Sequence, residues 1–100
     1  MPDEAHRLDG DRALAGALQL SAAGRDLATQ RDGPGAALTS ESAARPWGRD
    51  HAGHAFDRRY RPVERQVLDA WELLAAYMES LGEATARTIH DTMDLRPEQP

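Results

Sequence analysis

His51 and His54 stand three residues apart, with Asp50 and Asp57 beside them. On a helix, positions i and i+3 share a face, so this set has the donor types and spacing of a His/His/Asp metal site. A helix start explains the same residues more simply. Asp50 would accept from the free N–H groups of a first turn, its charge would sit at the positive end of the helix dipole, and both histidines would be solvated. No metal or other cofactor is expected. Arg58, Arg59, Arg61 and Arg65 form a second cluster. Its functional reading is a patch for nucleic acid or an acidic partner. Its plain reading is a solvated helix face paired with Asp57, Glu64 and Asp69, each i,i+4 pair worth about 0.3 kcal/mol. With 12 basic against 17 acidic residues and a formal charge of −5, the balance favours the solvated face and opposes a general nucleic-acid binder. His90 is isolated, and so are the serines. No nucleophile, base and orienting group can be assembled from local spacing, and no glycine pattern matches a phosphate loop. The chain is expected not to be an enzyme.

A chain of 100 residues is one domain at most. Its apolar residues make up 40% of the total and are largely alanine, which builds a thin core. There is no cysteine to reinforce it by disulfides or thiolate metal sites. Every basic residue other than histidine is arginine. No apolar run is long enough to cross a bilayer, so stable membrane insertion is not expected. The polar start "MPDEAHRLDGD" carries no cleavable signal-peptide core. The expected location is the cytoplasm, or outside the cell by a route that does not use such a peptide.

The elements that would position these residues fall into zones. Residues 1–8 read as disordered. Residues 9–31, with Leu14, Leu18 and Leu27 among alanines, predict a weakly amphipathic helix capped by Asp9 or Asp11. Gly10, Gly16 and Gly24 each weaken it by up to about 1 kcal/mol but would let a second helix approach closely. Residues 32–49, with their Gly, Pro, Ser and Thr, predict a long loop, with a helical turn near residues 40–44. A long helix is expected over 50–90, continuing with a kink through Pro62. Residues 91–100 read as a flexible tail.

That long helix carries two apolar stripes. Phe56, Tyr60, Val63, Val67, Ala70, Leu74, Tyr77, Leu81, Ala84 and Thr88 alternate by four and three, a heptad seam that predicts a left-handed helix pair. The large members, Phe56, Tyr60, Val63, Val67, Leu74, Tyr77 and Leu81, are the expected seam of an intramolecular hairpin. One position on lie Leu68, Trp71, Ala75, Met78 and Ile89. Together the stripes are wider than one thin helix can cover, so Leu68, Trp71, Ala75 and Met78 are the expected partner interface. Trp47 and Gly48 would close the open end of the hairpin.

The stretch from Pro46 to Asp94 resembles an actinobacterial subgroup of the WXG-like family of type VII (ESX-type) secretion proteins. The resemblance rests on Pro46, Trp47, Gly48, Asp50, Gly53, Phe56, Tyr60, Pro62, Leu81 and Gly82 in that order. It covers about half the chain, and the first helix matches only in type. Trp47 and Gly48 are adjacent here, where the strict family turn has a residue between them. The resemblance implies an all-α antiparallel helical hairpin with a Trp-Gly turn that dimerises, with itself or a homologous hairpin, into a four-helix bundle. It implies a secreted substrate, or the dimerising partner of a larger type VII substrate, with the secretion ATPase as a further partner. The family export signal is a Tyr, three residues and an acid; here His90 and Asp94 occupy those places. The substitution at His90 points to an alternative, a cytosolic adaptor or chaperone for a toxin-like substrate. A helical protein associated with nucleic acid through the arginine cluster is the remaining alternative.

Overall fold

A computed structural model describes residues 2–94 of the chain. It is helical throughout apart from one short connection: α1 (Pro2–Gln30), a π-helical stretch (Arg31–Gly35), α2 (Ala36–Ala43) and α3 (His51–Asp94). The first three run on from one another, and α3 folds back along them to give an antiparallel hairpin, a rod of 79 × 16 × 16 Å. Three expectations are corrected. The helix begins at Pro2, within the 1–8 stretch expected to precede it, and Met1 lies outside the described residues. The expected loop over 32–49 shrinks to residues 44–50. The second helix persists to Asp94, while residues 95–100 of the expected tail lie outside the described residues.

Pro34 explains both the loop reading and its failure. In an α-helix a proline has no N–H to donate, and its ring collides with the carbonyl four residues back. A π turn widens the helix and shifts the hydrogen-bond register to five, which carries the chain past the proline without a break. Tertiary contacts hold this turn in place. The Trp71 indole N–H donates to the Leu27 carbonyl at 2.9 Å, and Arg31 Nε donates to the Leu68 carbonyl at 2.8 Å. Arg31 also reaches Glu72 at 3.4 Å. Two helices thus exchange side-chain donors across the gap on either side of the π turn.

Below this clasp the helices nearly touch. A Cβ added to Gly82 would lie 2.4 Å from the Ser21 nitrogen and 2.6 Å from the Ala17 carbonyl oxygen. A Cβ on Gly24 would lie 2.6 Å from the Glu79 nitrogen. Only hydrogen fits, so backbone meets backbone. The contact line on the first helix runs Gly10, Leu14, Ala17, Ser21, Gly24, Ala28, a heptad of mostly small residues. Among the described residues the buried apolar side chains are Ala17 and Ala75 alone.

The other end is closed differently. Arg45 leaves α2 with a left-handed φ of 56°. A turn follows, closed by the Gly48 N–H donating to the Arg45 carbonyl at 2.9 Å, with Pro46 in the second position that such turns favour. Gly48 has φ 90°, open to glycine at little cost. Asp50 Oδ1 then accepts from the Gly53 N–H at 2.7 Å and caps α3. Gly53 has no room for a side chain, since a Cβ there would lie 2.3 Å from the Gly48 carbonyl oxygen. Past this start, α3 runs unbroken through Pro62.

Candidate interaction surfaces

Within the hairpin the second stripe on α3 is the more covered. Leu68, Trp71, Ala75 and Met78, expected to meet a partner, are buried or half-buried, and Leu68, Trp71 and Ala75 lie against the first helix and its π-helical extension. Ala75 is 2% exposed, and Trp71 is fixed by its bond to Leu27. Val63, Val67, Leu74, Tyr77 and Leu81, expected to lie inside the hairpin, are 41–63% exposed. The reason is steric. Closest approach of two helices is governed by the smallest residues, and Gly82, Ala75 and Gly53 lie on or beside the second stripe. The large aliphatic side chains of the seam would hold the helices apart.

Helix geometry fixes what else shares their side. An antiparallel pair has an approximate two-fold axis normal to its plane, so positions one residue before the contact line fall on the same broad side of both helices. On α3 these are Val63, Val67, Ala70, Leu74, Tyr77, Leu81 and Ala84; on the first helix they are Ala13, Gly16, Leu20, Ala23 and Leu27. From Ala13 to Leu27 and from Val63 to Ala84 neither row contains a charge, and Asp9, one before Gly10, ends the first. Positions one residue after the contact line make the opposite side. There Arg65, Asp69, Glu72, Glu79 and Glu83 face Arg25 and Asp32, and the Arg25–Glu79 ion pair at 3.5 Å confirms the assignment. The rod therefore has one apolar broad side, and an opposite side that is charged along α3 but mixed along the first helix, where Ala15, the exposed Leu18 and Ala22 accompany Arg25.

Near the turn, Trp47, Phe56 and Tyr60 form a cluster. Trp47 lies 4.9 Å from Phe56 and 5.0 Å from Tyr60, and those two rings stack at 5.6 Å. The Arg61 guanidinium covers Trp47 at 5.7 Å. Of the expected seam, these two aromatics are the members that pack within the chain, against the turn rather than against α1. Arg61 Nε donates to Asp57 Oδ1 at 3.0 Å, and Arg61 Nη2 donates to the Ser42 carbonyl at 2.8 Å. Burial raises the Asp57 pKa, but the hydrogen bond and charge of Arg61, the charge of Arg45 and the indole of Trp47 outweigh it and hold the carboxyl below its ordinary 3.8. The Trp47 N–H points toward Asp57 without reaching hydrogen-bond geometry, and it is the one buried side-chain polar atom so placed among the described residues.

Ser42 and Glu64 join α2 to α3 beneath this cluster. Both are buried, 3% and 7% exposed, and Ser42 Oγ lies 3.0 and 2.8 Å from the two Glu64 oxygens. The Thr39 carbonyl is 3.1 Å away, so one hydroxyl proton serves three acceptors. Sequence reading missed this pair, because a serine in a presumed loop and a glutamate on a charged helix carry no signal of pairing.

Asp50 and Asp57 are committed to the cap and to Arg61, and among the described residues no three His, Asp or Glu side chains converge on a point that could hold a metal. The expected neutralisation of the arginine cluster by Glu64 and Asp69 is replaced by a single pair, Arg61 with Asp57. His90 Nδ1 lies 3.3 Å from Asp94 Oδ2 one turn on, both exposed in the last turns of α3. No described helix is long and apolar enough to cross a membrane. Set against protein-family profiles, curated proteins and solved structures, the chain matches none.

Proposed function

We propose that this hairpin is a non-enzymatic interaction protein that works as half of a four-helix bundle, pairing through its apolar broad side with a second copy or a similar hairpin. The observation that carries this reading is the exposure of the rod. It presents 7488 Å² to solvent at a mass of 11.0 kDa, about 1,900 Å² more than the roughly 5,600 Å² expected of a compact monomer of that mass. The charge-free stretch from Val63 to Ala84 is about 30 Å long. Across the 16 Å width of the rod it offers about 500 Å². Two such faces bury about 1,000 Å², the lower bound of a specific interface. Leu74 and Tyr77 are its centre.

The WXG-like resemblance extends this reading to type VII secretion, as a substrate or as the partner of a larger one. The His90 substitution keeps the alternative of a cytosolic adaptor. Sedimentation equilibrium of the purified chain, alone and with whatever it co-purifies with, tests the pairing. Leu74→Glu is expected to produce a monomer that remains helical. A wild-type chain that is monomeric and stable with no associated protein would refute the proposal. Export is tested separately, by comparing culture filtrates of a host with and without a working type VII system. Efficient, system-dependent export of the native chain removes the adaptor alternative, whereas export gained only on His90→Tyr favours it.

A further inference from the structure

We propose that the turn end of the rod is a second docking surface, fitted to an acidic amphipathic protein segment and adjoining the apolar broad side at its Val63 end. Charge is the first argument. The turn end, residues 36–65, holds six of the twelve arginines against Glu41, Asp50, Asp57 and Glu64, a local charge of +2 in a chain of −5, which leaves −7 for the rest. A basic tip on an acidic rod attracts an acidic partner end-on and repels it along the shaft.

Availability is the second argument. Arg61 is spent on Asp57 and Ser42, and Arg45 lies 3.9 Å from Asp57. Among the described residues Arg49, Arg58, Arg59 and Arg65 are exposed and engaged by no ion pair or side-chain hydrogen bond. Their forked donors are free to take carboxylates two-fold.

The aromatic cluster decides the class of partner. Phe56 is 49% exposed at its centre, with Trp47 and Tyr60 partly covered beside it. Nucleobases stack on free ring faces, but these rings spend theirs on one another and on Arg61. A bilayer-inserting tip needs a broad apolar face, and this one offers a single half-exposed ring. An apolar edge rimmed by arginines matches the composition of a protein interface centre.

The test is fluorescence anisotropy with a labelled synthetic helix built only from Glu, Leu and Ala. Comparison probes are the same helix with Gln for Glu, a single-stranded oligonucleotide, and phosphatidylserine vesicles. The acidic helix is expected to bind at low salt and to weaken about tenfold at about 0.15 M salt, while the Gln version does not bind. Arg58→Glu with Arg59→Glu should raise Kd by about tenfold or more. Phe56→Ala should raise it about fivefold. Arg58 and Arg59 make no ion pair or side-chain hydrogen bond to lose, and circular dichroism of each variant checks the fold. Leu74→Glu, which tests the broad side, should leave tip binding unchanged, so failure of one surface is distinguishable from failure of the other. No binding of the acidic helix, equal binding of the oligonucleotide or the vesicles, or indifference to the charge reversal would each overturn the proposal.

Discussion

Between Ala17 and Gly24 the first helix meets α3 with backbone atoms, whereas from Ala36 to Ala43 no Cα comes within 8 Å of a Cα on α3. The π turn at Arg31–Gly35 is the border between these halves. In the narrow half, glycines and alanines give close contact with little buried surface, and nothing there can yield except the helices themselves. In the wide half the gap is bridged by long side chains: Arg31 to Leu68, Arg61 and Glu64 to Ser42. Those bridges can rearrange, and they depend on charge. One hairpin thus joins a stretch specified by the absence of side chains to a stretch specified by particular ones. Substitutions should separate the two.

The largest effect belongs to the narrow half. Gly82→Ala places a Cβ where backbone atoms of Ser21 and Ala17 already lie, at 2.4 to 2.8 Å. Overpacking usually costs about 1–3 kcal/mol, and here, where two backbones must part, about 3–4 kcal/mol is expected. The better helix propensity of alanine returns about 1 kcal/mol. A net loss of about 2–3 kcal/mol is expected in urea unfolding at fixed chain concentration, for Gly82→Ala and similarly for Gly24→Ala. Unchanged or raised stability in both would mean the helices do not meet as described.

In the wide half, Ser42→Ala strips a donor from a buried carboxylate, and hydrogen bonds to charged groups are worth about 1.5–3 kcal/mol. A loss of about 2 kcal/mol is expected. Glu64→Leu in the same background should recover part of it, because removing both partners of a buried polar pair is far less costly than removing one. If Glu64→Leu and Ser42→Ala were each as harmful together as the sum of the two alone, the pair would not be coupled and the bridge would carry no specificity.

The contrast also sorts what was legible in the sequence. The turn end was readable because its residues act locally: Asp50 caps three residues away, and Trp47, Phe56 and Tyr60 are near in sequence. The small residues on the first helix correctly announced close approach. The heptad spacing of α3 was also real, but two stripes one residue apart share that spacing, and periodicity cannot rank them. The unbroken alternation by four and three from Phe56 to Thr88 places Leu74 and Tyr77 inside; the close approach of Gly82 and Ala75 to Ser21 and Gly24 leaves those two large side chains exposed. Gly33, Pro34 and Gly35 read as a loop because local propensity contains no knowledge of Leu68 and Trp71, which bind Arg31 and Leu27 across 37 and 44 residues of sequence. Where contacts are long-range, the order of residues carries no sign of them.

A pH titration probes the wide half alone. Asp57 is held below its ordinary 3.8, so its folded pKa is lower than its unfolded one. Its contribution is fully present above the unfolded value and is lost as pH falls through the folded one. The urea midpoint of the wild type should therefore decline from about pH 5 downward, through the carboxylate range. Asp57→Asn should be less stable at neutral pH and show a shallower decline, the two curves converging in acid. Parallel curves would mean that the Arg61 and Arg45 pairing adds nothing to folding.

The smallest effect is the most diagnostic, because it reverses sign within one helix. Gly16 lies on the first helix between Gly10 and Gly24, and a Cβ there would meet nothing within 4 Å. Gly16→Ala should therefore stabilise an isolated hairpin by about 0.5–1 kcal/mol, through backbone entropy alone. The same substitution at Gly24, two turns on, should destabilise it. Opposite signs for one chemical change isolate the contact from the propensity. Gly16 is also on the apolar broad side, beside Leu20 and Ala23. If a partner hairpin lays its large side chains into that hollow, the gain measured at low chain concentration should shrink or reverse once the chains pair. A gain that is the same at every concentration would place the partner elsewhere on the rod.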